Sequence, residues 1–176
     1  MTQAQFTILP NSNIHSLAPV AELDFFDSQS IQLSAPIAPL KAWNIIRANP
    51  LPGLKLAFGI RDAISTLFGA KAISGFSEQP VEDIQTGDML DFFRVEHISQ
   101  DVLTLTVRDS HLDVMTCVST SSETLTITSS VQTHNGFGRA YMIPVAPAHR
   151  LIVRHSLKCL RRSMSNGINV HADPSH

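Results

Sequence analysis

The stretch RDSHLDVMTCVS, residues 108 to 119, sets a histidine and a carboxylate two positions apart at the head of an apolar run. On a strand, side chains at i and i+2 share a face, so Asp113 would orient the His111 imidazole as an acid orients a general base. The same two residues also make an ordinary structural pair, which is the commoner role of a histidine beside an acid. Met115 and Cys117 continue that face, which puts the polar pair at the rim of an apolar surface. A second group, Arg139, Tyr141, His149 and Arg150, gathers behind the turn signal Asn135-Gly136. Backbone N–H groups at a helix start lack partners and can hold an anion or a polar ligand head. Tyr141 has an apolar body and a hydroxyl tip, suited to a pocket wall and equally to a core. His149 falls on an apolar stripe, where a histidine is more often hydrogen-bonded packing than a catalyst.

Other chemistries lack their residue patterns. The eight histidines are dispersed, and the two cysteines, Cys117 and Cys159, stand in no CxxC or Cys/His pair, so no metal site is expected. No serine lies in GxSxG and no glycine-rich phosphate loop occurs. The sequence therefore implies no cofactor. Thirteen Lys and Arg against fifteen Asp and Glu give a net charge of −2, which argues against a nucleic-acid footprint. The N-terminus, MTQAQFTILPNSN, has neither the basic start nor the apolar stretch of a signal peptide. No apolar run of about eighteen residues is present, so stable membrane insertion is not expected. With unpaired cysteines, a reducing cytoplasmic location is the expectation.

The elements that must position these residues follow from periodicity. Charged residues are 16% of 176 and hydrophobic ones 43%, enough for one buried core. The expected division is a single domain over 1–163 with a loose tail over 164–176. QFTILP reads as an extended arm, and SNIHSLAP as a helical turn before its proline. DFFDSQSIQL, from Asp24 to Leu33, is aromatic and β-branched and reads as a strand. PLKAWNIIRA, residues 39 to 48, carries Leu40, Trp43, Ile46 and Arg47 at helical spacing, and NPLPG ends it. A second helix is expected over 54–68, with Leu56, Ile60, Ile64 and Leu67 on one stripe. Within it Arg61 would pair with Asp24 or Asp27, or with Asp113, as a structural ion pair. The acidic connection at 77–88 reads as a surface loop.

From Met89 to His134 the chain alternates. In DVLTLTV, Leu103, Leu105 and Val107 face one way and Thr104 and Thr106 the other. ETLTITSSVQTH puts Leu125, Ile127 and Val131 on one side, and the threonines opposite should meet water. The remainder reads as one long helix kinked at Pro144 and Pro147. From 149 onward it carries an apolar stripe, Val153, Leu157, Leu160 and Met164, beside a basic stripe, Arg150, Arg154, Lys158 and Arg161.

This order is α+β, with a curved antiparallel sheet that covers its apolar face using the last helix. It resembles the helix-grip architecture of START-like and Bet v 1-like (SRPBCC) proteins, which implies an apolar cavity between sheet and helix. DFFDSQSIQL, RDAISTLFGAK, RDSHLDV and HNGFGRAYMIPVAPAHRLIVRHSL resemble, in that order, the bacterial family called domain of unknown function 2867. DSHLD and the stretch from GRAY to HRLIVR are the most specific of these phrases. Some members resemble partners of nucleotide-binding oxidoreductase domains, but this chain has no GxGxxG. The first expectation is a binder of a small, mostly apolar ligand, with His111, Asp113, Tyr141, His149 and Arg139 as polar contacts and Trp43 and Met115 as walls. A protein interaction module, as a homodimer or an accessory partner of an oxidoreductase, is the second. An enzyme using His111 and Asp113 is the third.

Overall fold

The computed structural model describes residues 6–49 and 80–170. The second expected helix, with Arg61, lies outside the described residues. The chain forms an α+β fold of eight strands in two sheets, two α-helices and a short 3-10 turn at Val20–Glu22 among the described residues. A hairpin of β1 (Thr7–Ile8) and β2 (His15–Ser16) opens it, followed by β3 (Phe25–Gln32) and helix α1 (Pro39–Ala48). Strands β4 (Met89–Leu90), β5 (Phe93–Ile98), β6 (Val102–Arg108), β7 (Leu112–Ser121) and β8 (Thr124–Thr133) come next, then the long helix α2 (Gly136–Val170). The main sheet is wholly antiparallel in the order β3-β8-β7-β6-β5-β4.

The alternation predicted for these strands sets which face each residue takes. Val118 pairs with Leu103 and Ile127, and with Leu105 and Leu125 these residues line the face toward the helices. Onto it pack Ala42 and Trp43 from α1 and Val153, Leu157 and Leu160 from α2, the last fully buried. Burying each of these valine and leucine side chains contributes about 1.5–3 kcal/mol. Proline suits the first turn of α1, where its missing N–H has no helical partner to lose. A smaller cluster of Phe25, Leu112 and Val131 receives Tyr141, Met142 and Ala146 of α2. The basic stripe Arg150, Arg154, Lys158 and Arg161 is exposed, as its spacing predicts.

The other face of the sheet corrects an expectation. The β8 threonines on it should meet water, yet Thr128 is 1% exposed, and beside it Thr104 and Thr106 of β6 are 0% and 2% exposed. SNIHSLAP is the reason: instead of a helical turn it supplies β2, and the β1–β2 arm lies across this face. The His15 N–H donates to Cys117 Sγ (3.3 Å), its Nδ1 pairs with Thr104 Oγ1 (2.8 Å), and the Leu17 N–H donates to Ser130 Oγ (3.1 Å). Phe6 stacks on the His15 ring at 4.0 Å, and His97 meets its edge at 5.1 Å. At the C-terminus the helix runs on to Val170.

Burial, aided by the nearby His97, lowers the His15 pKa from 6.5 to about 4. The folded arm thus holds a neutral imidazole while the unfolded chain takes up a proton below its ordinary value. Stability should be full above pH 6.5 and fall as the pH drops toward 4, by at most about 1.4 kcal/mol per pH unit for one proton. Thermal unfolding of the wild type and His15→Gln across this range is the check. The gap between the two curves should narrow with falling pH, and parallel curves would refute the assignment to His15.

Candidate functional site

His111 sits in the turn between β6 and β7, one residue before the strand begins, so strand parity does not govern it. Asp109 shapes the turn: its Oδ1 accepts the N–H groups of His111 (2.7 Å) and Leu112 (2.9 Å). Asn135 then ties the turn to α2. Its Oδ1 accepts the Gly138 N–H (3.0 Å), as an N-cap residue does, while its Nδ2 reaches Ser110 O (3.1 Å) and His111 Nδ1 (3.0 Å). The Asn135 Oδ1 lies 3.4 Å from the same Nδ1, so both ends of the amide face that nitrogen. Nε2 is buried with no hydrogen-bond partner among the described residues, and the ring meets Phe137 at 4.7 Å. The His134 N–H donates to His111 O (2.8 Å), and Gly138 lies so close to that oxygen that a Cβ there would collide with it.

Asp113 does not orient His111. Its Oδ2 accepts from Arg108 Nη1 (3.0 Å) and its Oδ1 lies 3.1 Å from His134 Nε2. The aspartate has a histidine neighbour, but a different one, because the turn carries His111 away from the face that Asp113 takes. Arg108 and His134 are 44% and 42% exposed, so this trio is a screened surface cluster of small energetic weight. The base-and-orienter pair expected for an enzyme is not assembled.

The remaining predicted residues are spread over the fold. Tyr141 packs with Phe25, Leu112 and Val131, its ring 6.4 Å from Phe137. Arg139 is exposed one turn into α2. His149 Nε2 pairs with Ser129 Oγ (2.9 Å), its ring meets Phe25 edge-on at 5.9 Å, and burial lowers its pKa despite the nearby Asp27 carboxylate. Asp27 receives Arg150 Nε at 3.5 Å, and Asp24 accepts the N–H and hydroxyl of Thr133 (2.7 and 2.9 Å), bonds that hold its carboxyl below the usual range. Trp43 meets Phe93 edge-on at 5.7 Å beneath the helices. Met115 shares the parity of Cys117 and lies on the opposite side of the sheet, so the two cannot wall one cavity. The space between sheet and α2 is occupied by the buried side chains of the two clusters. Among the described residues, surface grooves lie elsewhere. One, of about 870 Å³, runs between Ile8–Ile14 and Ser119–Ser122, and another, of about 580 Å³, runs along α1 beside Val81.

A feature outside the expected set is the outward face of α2. Ile143 and Leu151 are 76% and 66% exposed, with Ala140, Pro144, Pro147 and Ala148 exposed between and beside them. Steps of three and four put these six residues on one stripe. Pro144 and Pro147 stand inside the helix without N–H groups, which deprives the carbonyls of Ala140 and Ile143 of their usual donors on that same stripe. The signal was present in the sequence as a second apolar periodicity starting at 140, opposite the buried one that begins at Val153. Among the described residues no three His, Cys, Asp or Glu side chains gather as metal ligands, and no helix is long and apolar enough to cross a membrane.

The chain belongs to the family described as "Protein of unknown function (DUF2867)", whose model matches residues 19–156. No curated protein and no solved structure matches it.

Proposed function

We propose, starting from membership in a family described only as of unknown function, that this chain is a non-catalytic interaction module. On this reading a helix-grip scaffold, of the START-like or SRPBCC kind, holds α2 rigidly against the sheet and presents its outward face to a protein partner. The observation that carries the reading is the exposure of Ile143 and Leu151, 76% and 66%, on one face with four further apolar residues. A contiguous apolar stripe left in water is unfavourable by itself and marks a surface that another molecule covers. The packed interior between sheet and helix favours this over an apolar ligand, which would have to displace Val153 or Leu157 and their neighbours. His111, with its Nε2 enclosed and its Nδ1 paired with the Asn135 amide, serves as a clasp for the helix start.

A photo-crosslinking side chain placed at 143 or 151, in cells of the natural host, tests the reading. Both positions should yield one shared protein adduct that is absent from a control at exposed Gln32 and lost on Leu151→Glu. Adducts no different from the control would refute it. So would native mass spectrometry of host-purified protein that shows a small molecule at near-unit occupancy.

A further inference from the structure

The charge on α2 narrows the partner. Across Gly136–Val170 the helix holds Arg139, Arg150, Arg154, Lys158, Arg161 and Arg162 and not one Asp or Glu, in a chain of net charge −2. Arg150 is engaged with Asp27 and lies over the Phe25 ring at 5.1 Å. Arg154, Lys158, Arg161 and Arg162 are exposed and have no acidic partner among the described residues. Ile143, Pro147, Leu151, Arg154, Lys158 and Arg162 follow one another in steps of four, four, three, four and four, a single line up the outside of the helix. At about 1.5 Å rise per residue, that line is apolar for about 12 Å and cationic for about the next 12 Å.

Three kinds of occupant fit this line poorly. Two copies of α2 packed antiparallel about Pro147 would bring Arg154 of each against the Arg139 end of the other, and a parallel pair would set the cations directly opposite. Neither arrangement offers an acid. A nucleic acid would satisfy the cations and leave Ile143 and Leu151 in water. A lipid surface would bury the two donor-poor carbonyls among acyl chains that cannot donate.

We propose, resting on the interaction reading above, that the outward line of α2 receives an acidic amphipathic protein segment, with apolar side chains over Ile143–Leu151 and Asp or Glu side chains against Arg154, Lys158 and Arg162. Hydroxyl or amide donors on that segment can answer the carbonyls of Ala140 and Ile143. Complementary charge would set its direction along α2 and speed its docking.

Selection of a random-sequence peptide library on the full chain, with Leu151→Glu as the counter-target, tests this. The Leu151-dependent binders should share an apolar stripe with clustered Asp or Glu to one side. Their consensus peptide should bind Arg154→Glu/Lys158→Glu about tenfold or more weakly, and raising salt from about 50 to about 500 mM should weaken the wild-type complex comparably. The substituted side chains are exposed, and an unchanged far-ultraviolet circular dichroism spectrum separates loss of binding from loss of fold. Leu151-dependent binders that are neutral or basic would overturn the acidic partner and leave the interaction reading standing. No Leu151-dependent binder at all would remove both. Co-sedimentation with phosphatidylserine vesicles, abolished by Leu151→Glu and stronger than any peptide complex, would overturn the proposal in favour of a membrane surface.

Discussion

Arg47→Met is expected to lower the stability of the protein by about 3 to 5 kcal/mol, the range for removing one partner of a buried ion pair. Arg47 Nη2 lies 3.0 Å from Asp91 Oδ1, with the two side chains only 3% and 1% exposed. The pair ties the last turn of α1 to the turn between β4 and β5, where Asp91 adopts a positive φ of 58° that aspartate tolerates better than most residues. Methionine keeps the length and packing of the arginine stem, so the variant isolates the charge. It leaves the Asp91 carboxylate buried without its guanidinium, and the desolvation of that carboxylate is no longer offset. Urea or guanidinium titration would read the loss as a shift in midpoint. The double variant Arg47→Met/Asp91→Asn should recover part of it, because the buried Asp91 side chain then carries no charge. A loss below about 1 kcal/mol in the single variant would put the pair in the class of hydrated surface bridges.

Gly138→Ala should be destabilising even though it improves helix propensity. In an open helix the exchange is favourable by about 1 kcal/mol. At 138 the new Cβ would meet the backbone carbonyl of His111 and crowd Thr133, neither of which is the free end of a flexible side chain. The start of α2 would have to lift from the β6–β7 turn, straining the Asn135 bonds to Ser110, His111 and Gly138. Overpacking together with weakened hydrogen bonds predicts a loss of about 2 to 4 kcal/mol. Gly136→Ala is the internal control, since its Cβ would meet nothing within 4 Å, and it should be neutral or slightly stabilising. Amide exchange would locate the effect, with protection falling first at His134 and Gly138. Equal stability of the two alanine variants would refute the clasp. If the clasp holds, Gly138→Ala should also weaken partner binding at Leu151 without touching the outward line.

Much of the architecture was legible in the sequence because it depends on neighbours a few residues away. The Pro39 start and the Ala48 end of α1 follow from proline chemistry and the NPLPG break, and the structure places them at those residues. Alternation in DVLTLTV and ETLTITSSV assigned Leu103, Leu105, Leu125 and Ile127 to one face, and all four are buried there. The stripe of Val153, Leu157 and Leu160 docks as its period requires. Even Arg47, placed on the apolar stripe of α1, is buried.

What only the tertiary structure decided is which surface covers which, and which polar groups meet. His15 finds Thr104 and Cys117 at separations of 89 and 102 residues, and no local pattern announces that an arm will lie over the threonine face. Arg47 meets Asp91 across 44 residues. The spacing in DSHLD suggested a His–Asp pair, but Asp109 bends the chain into a turn that hands His111 to Asn135 and leaves Asp113 to Arg108 and His134. Periodicity says which side of an element is apolar. It does not say whether that side will be covered, because covering is a contact between distant parts of the chain, and that is why the stripe from Ala140 to Leu151 became visible as a candidate surface only once the fold left it in water.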